Sequence, residues 1–113
     1  MNKTSEARII NKTDSSVILE FFVPSTSDFF DGHFPGFPVL PAVAQIDIIM
    51  RYVSNFFGVG VGLSQIKRIK FNGLILPNTP LVLNLERNGN TVSFRMNSPD
   101  GETAYSAGTF VLG

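Results

Sequence analysis

Gly32-His33-Phe34-Pro35-Gly36-Phe37-Pro38-Val39-Leu40-Pro41 runs directly into Ala42-Val43-Ala44-Gln45-Ile46-Asp47-Ile48-Ile49-Met50-Arg51-Tyr52-Val53-Ser54-Asn55-Phe56-Phe57. The two halves of this stretch obey different backbone rules. Pro35, Pro38 and Pro41, with Gly36 among them, are incompatible with a regular helix or a central strand, so the first half is expected to be a stiff, ordered loop. Pro41 then sits at the edge of a helix, where a missing N–H costs nothing, and Gly58 and Gly60 supply the stop. The helix is expected over Ala42 to about Phe57. Ala42, Val43, Ile46, Ile48, Ile49, Met50, Val53, Phe56 and Phe57 leave it little polar surface, the pattern of a buried helix.

On both sides of this helix the pattern is that of strands. Arg8 to Val23 reads as a β-hairpin turning at Lys12-Thr13-Asp14-Ser15, and Pro24 to Asp31 as a loop. Beyond Gly62, Leu63 to Phe71 alternates in part, with Ile66, Ile69 and Phe71 as apolar anchors. Leu76 to Pro80 is a turn. Leu81 to Arg87 and Thr91 to Asn97 alternate around Asn88-Gly89-Asn90, a strong hairpin signal. After a turn at Pro99 to Glu102, Ala104 to Leu112 is the last strand. Two strands, one buried helix and four strands make an α+β chain with a mainly antiparallel sheet. A single domain over residues 1–113 is expected, and one helix against a long curved sheet is the hot-dog architecture.

Composition narrows the function. Nine Lys and Arg balance nine Asp and Glu, which argues against a basic nucleic-acid binder or a polybasic membrane-surface protein. With no Cys there is no thiolate site and no cysteine nucleophile, and the single His, His33, cannot form a multi-histidine metal centre. No apolar run follows Met1-Asn2-Lys3-Thr4-Ser5-Glu6, and no stretch approaches the ~18–20 apolar residues of a membrane span, so a soluble cytoplasmic protein is expected. Eleven Phe and two Tyr are a large apolar load for a short neutral chain, to be hidden in part against another subunit or an apolar ligand.

The proline-rich segment resembles that of the β-hydroxyacyl-(acyl carrier protein) dehydratases of the FabZ and FabA type, whose pattern runs roughly G-H-F-P-x-x-P-V-x-P-G before an acidic residue on the central helix. Here that residue is Asp47, at the family's spacing from His33; FabZ-type enzymes carry Glu there and FabA-type enzymes Asp. Ser64 to Phe71 and Pro77 resemble the strand and turn that follow. The short chain is most similar to the dehydratase-like proteins of aryl polyene biosynthesis. The resemblance implies that a 3-hydroxyacyl thioester on acyl carrier protein loses water to give a trans-2-enoyl thioester, without a cofactor or a metal. It implies His33 as the base, Asp47 as the acid or water-orienting group, and the Ala42 N–H as the donor to the thioester carbonyl. It further implies that the Val39 carbonyl holds the other ring nitrogen of His33. Phe34 and Phe37, with Phe29 and Phe30, flank this loop and are candidates for lining the acyl channel. In the family His and acid come from different subunits, so a homodimer or a multiple of it is implied.

The chemistry is independently reasonable. Elimination of water needs a base for the C2 proton and an acid for the hydroxyl; one imidazole and one carboxyl held on a buried helix suffice. Three departures from the family pattern stand out: Ala42 replaces Gly, Arg51 replaces a Gln four residues after the acid, and the N-terminal His-Arg-Tyr-Pro-type motif is missing. Arg51 lies one turn from Asp47 and could pair with it, favouring the charged carboxylate, or point outward to meet a phosphate. Lys67, Arg68 and Lys70 read as a solvated strand face, with docking of an acidic carrier protein as the alternative. Two other functions fit the same fold: a thioesterase in which the acid activates water, and a non-catalytic acyl binder or heterodimer partner.

Overall fold

Alternation on β-branched and aromatic residues builds the sheet. The computed structural model describes residues 4–30, 39–58 and 63–112. Strands β1 (Arg8–Lys12) and β2 (Ser16–Phe21) form the expected hairpin. Helix α1 spans Ala42–Phe57, and β3 (Leu63–Phe71), β4 (Leu81–Asn88), β5 (Thr91–Asn97) and β6 (Ala104–Leu112) follow. The expected loop after β2 contains one turn of 3-10 helix, Asp28–Phe30, in which Phe29 and Phe30 turn into the core.

The six strands form one sheet in the order β1-β2-β4-β5-β6-β3. Every pairing between neighbouring strands is antiparallel. Register shifts at Ile9/Asn11, Leu63/Gln65, Ile66/Arg68 and Met96/Asn97 add local bend and twist, and the sheet curves around the helix as in hot-dog proteins. Val17, Leu19 and Phe21 of β2, Leu81, Leu83 and Leu85 of β4, and Val92, Phe94 and Met96 of β5 point to one buried face. Period-two alternation makes this face continuous across the sheet. Phe94 stacks on Phe110 of β6 at a centroid distance of 5.2 Å.

Helix α1 lays Ala44, Ile48, Ile49, Tyr52 and Val53 on that face. Tyr52 meets Phe21 of β2 at 5.2 Å, and the helix ends where Gly58, at φ +62°, donates its N–H to the Ser54 carbonyl. The burial is one-sided. Val43, Arg51 and Asn55 are exposed and Ile46, Asp47, Phe56 and Phe57 half-buried, so within one chain an apolar flank of the central helix remains open. The helix is not long and apolar enough to cross a membrane.

The turn before β6 is fastened by Asp100. Its Oδ1 accepts from the Ser98 hydroxyl at 2.6 Å and from the Glu102 N–H at 2.9 Å, and the Ser98 bond leads in drawing its pKa below the ordinary Asp value. A depressed carboxyl stabilises the fold above its unfolded-state pKa and loses that contribution as pH falls through the folded value. Asp100→Asn should therefore slightly flatten the acid limb of the melting curve, measured from about pH 7 to about pH 3; an unchanged acid limb would remove the turn from the pH response.

Candidate active site

The start of α1 is fixed from two directions. The Leu40 N–H donates to the Ile75 carbonyl at 2.8 Å, tying the segment before the helix to the connection between β3 and β4. Pro41 is extended at φ −72°, ψ 160°, and its carbonyl accepts from the Ala44 and Gln45 N–H groups, both at 3.1 Å. The N–H groups of Ala42 and Val43 precede the first intrahelical bonds, so they are open donors at the positive end of the helix dipole.

Ala42 borders a groove of about 350 Å³ between the helix start and the end of β3, lined by Val39, Leu40, Pro41, Ala42, Gln45 and the Phe71–Leu74 segment. Its outer wall is apolar: Leu74 and Phe71 are 64% and 41% exposed. Phe71 therefore serves as an exposed wall and not as the apolar anchor expected from the strand pattern. Gln45 is only 3% exposed. Its Nε2 donates to the Leu40 carbonyl at 3.4 Å, while its Oε1 meets no donor among the described residues.

Asp47 faces elsewhere. Two residues further along a helix is more than half a turn, and Asp47 lies on the open flank, in a concavity of about 460 Å³ shared with Met50, Arg51, Ser54 and Asn55. Arg51 faces it: Nε and Nη2 reach Oδ1 and Oδ2 at 3.2 and 3.4 Å. The two side chains are 55% and 45% exposed, so this is a solvated (i, i+4) pair that contributes about 0–1 kcal/mol to stability. It orients the carboxylate by engaging both of its oxygens.

The structure thus brings Val39 and Ala42 together in one groove and places Asp47 in another. His33, Phe34 and Phe37 lie outside the described residues. Lys67, Arg68 and Lys70 are exposed on β3, an edge strand bonded to β6. Gln45 is the residue that sequence reading missed. It could have been found, because an amide three and four residues before Ile48 and Ile49 shares their inward face and needs a partner there.

Residues 9–109 match the family of ApeI-like proteins, described as ApeI dehydratase. The chain is 30% identical to the 3-hydroxyacyl-[acyl-carrier-protein] dehydratase FabZ of Lactiplantibacillus plantarum, over 87% of this chain and 75% of that one. Among solved structures it is similar to the dehydratase heterocomplex ApeI:P from Xenorhabdus doucetiae, with a TM-score of 0.81, 28% identity, and coverage of 95% of this chain and 97% of that one. A variant of a hypothetical thioesterase from Streptococcus pneumoniae shares the fold alone, at a TM-score of 0.69 and 14% identity over 95% of this chain and 88% of that one.

Proposed function

Since the chain belongs to the ApeI-like dehydratase family, we propose that it removes water from 3-hydroxyacyl thioesters carried on acyl carrier protein, giving trans-2-enoyl thioesters. The observation that carries this reading is the reach of the family match, residues 9–109, which takes in the His33 loop, the helix start and Asp47 together.

In this reaction His33 takes a proton from C2. The electron pair forms the C2–C3 double bond as the C3–O bond breaks, and the hydroxyl leaves as water with a proton delivered by Asp47 or through a water that Asp47 orients. The open N–H of Ala42 steadies the negative charge that develops on the thioester oxygen, an electrostatic contribution worth about 10²–10³ in rate where it has been measured. The Val39 carbonyl orients the imidazole, and Phe34 and Phe37 line the acyl chain. Ala42 and Asp47 of one chain face different concavities, which supports a site completed by the Asp47 flank of a second subunit. The exposed apolar residues on the helix flank are suited to be covered in such a dimer.

Arg51 sets the availability of the acid. While both Asp47 oxygens accept from the guanidinium, one lone pair of each is committed and the carboxylate is held toward Arg51. Asp47→Asn should lower kcat about 10²-fold, the lower range for general acid–base catalysis. Arg51→Gln, which frees the carboxylate, should keep or raise it. If Arg51→Gln falls as far as Asp47→Asn, Arg51 acts in the reaction itself and is no restraint on Asp47.

The same pair favours a second reading, a subunit that completes the site of a different chain, in keeping with the Xenorhabdus structure being a dehydratase heterocomplex. Mass analysis of 3-hydroxyacyl-carrier protein incubated with the purified chain separates the possibilities. Loss of water by the chain alone supports the homomeric dehydratase. Water loss only after a second dehydratase subunit is added supports the partner role, and release of free acid makes the protein a thioesterase.

A further inference from the structure

The geometry points to Gln45 as a substrate-binding residue, its Oε1 accepting a hydrogen bond from the amide N–H that neighbours the thioester in a pantetheine-type arm. This rests on reading the groove at the start of α1 as the thioester site. Three observations carry it. First, Gln45 is 3% exposed and its Oε1 has no donor among the described residues. A buried acceptor left unpaired is costly, and such groups are normally satisfied by protein, water or ligand. Second, the orientation of the carboxamide is fixed by chemistry: the end facing the Leu40 carbonyl at 3.4 Å must be the NH₂ end, since two carbonyl oxygens would repel. The unpaired atom is therefore the oxygen, and only a donor can satisfy it. Third, Gln45 lines the same groove as Ala42, one helical turn away, a separation of about 5–6 Å between their Cβ positions.

That separation selects the donor. A thioester whose carbonyl lies at the Ala42 N–H continues through sulfur and two methylenes to a secondary amide, a spacer of comparable reach. The groove has matching character, apolar along Leu40, Pro41, Phe71 and Leu74 and polar at Gln45 and Asn72. The substrate's 3-hydroxyl is the other donor within chemical reason. Its place is beside the acid, which the proposed site takes from a second subunit, so a matched 3-hydroxy ligand is included to separate the two donors.

The test compares two unreactive ligands, butyryl-pantetheine and the counterpart in which the amide N–H next to the thioester is replaced by an ester oxygen. Dissociation constants are measured by NMR titration of isotopically labelled protein, for wild type, Gln45→Leu and Gln45→Met; unchanged amide spectra away from the groove establish that the variants fold. Wild type should bind the amide ligand about tenfold more tightly than the ester, the usual scale for a site whose buried polar group loses its partner. In both variants the preference should fall to near unity through loss of amide affinity. Equal weakening of both ligands, as expected if the oxygen meets only a buried water, overturns the assignment. So does a tenfold preference that survives in both variants, or no binding of either ligand. A matched titration with 3-hydroxybutyryl-pantetheine identifies the competing donor: selective loss of its hydroxyl-dependent affinity in the variants would transfer the Gln45 bond to the hydroxyl. Water loss is measured separately. Turnover without the amide preference leaves the dehydratase reading standing and removes this one, whereas the preference without turnover does the reverse.

Discussion

His33→Ala should lower the rate of water loss about 10³-fold, within the range expected when a positioned acid–base group is deleted, while leaving the melting temperature close to wild type. The chain has one His and no Cys, so no second side chain with ordinary titration near neutrality stands ready to replace it. Burial pushes the Tyr52 phenol above its usual pKa, which makes Tyr52 a poorer base still, and its ring is committed to packing against Phe21. Two further readings separate a catalytic His33 from a structural one. The wild-type rate should fall toward acid pH, where an imidazole base is protonated, and this limb should vanish in the variant. Added imidazole should restore part of the lost rate. Full water loss by His33→Ala would remove the imidazole from the mechanism and with it the reason for assigning elimination to this loop.

Gly108→Ala should cost the fold about 3 kcal/mol or more, at or above the upper end for overpacking a core with one extra carbon. A Cβ at this position would stand 2.3 Å from the Arg68 carbonyl oxygen, 2.7 Å from Ile69 Cγ1 and 2.9 Å from Phe94 Cε1. None of these can yield cheaply. The carbonyl belongs to β3 opposite Gly108, where Ile69 pairs with it. The Phe94 ring is stacked on Phe110. Because among the described residues β3 is bonded only to β6, the readiest relief is to push β3 off the sheet. At about 4–8 °C per kcal/mol for a domain near this size, the midpoint should drop by more than about 10 °C. Gly73→Ala is the control. Its nearest contact would be the Tyr105 ring at 3.3 Å, which a small rotation relieves, so it should melt within a few degrees of wild type. A Gly108→Ala protein as stable as that control would mean β3 can move away from β6 without loss.

What was legible in the sequence was local. The helix over Ala42–Phe57 and the hairpins around Asp14 and Gly89 are set by residues adjacent in the chain: a proline before, a glycine after, turn residues between alternating runs. The order of strands was not, because the pairing of β3 with β6 instead of β4 is decided by contacts far apart in sequence. The 3-10 turn at Asp28–Phe30 fell inside a stretch whose Ser and Asp content reads simply as loop. Apolarity of α1 correctly placed one of its faces in the core, but did not show that Val43 stays 72% exposed in the single chain. For the site, the carboxylate and its arginine were readable from their (i, i+4) spacing, and the structure resolved their alternative orientations in favour of pairing. Gln45 was passed over because hydrophobic counting skips a polar residue where it most needs explaining.

The strand order also bears on how the protein is made. During synthesis the chain emerges from its N-terminal end, so β1, β2, α1, β3, β4 and β5 are all available before β6. Yet β6 lies between β5 and β3, and until it arrives β3 has no neighbour in the sheet. The groove wall at Phe71–Leu74, which continues directly from β3, therefore waits on the last of the six strands to be translated. Long-range closures of this kind slow folding and prolong the exposure of unpaired strand edges. A ribosome stalled before Ala104 would hold a helix and a partial sheet, with one wall of the groove at the start of α1 still unfixed.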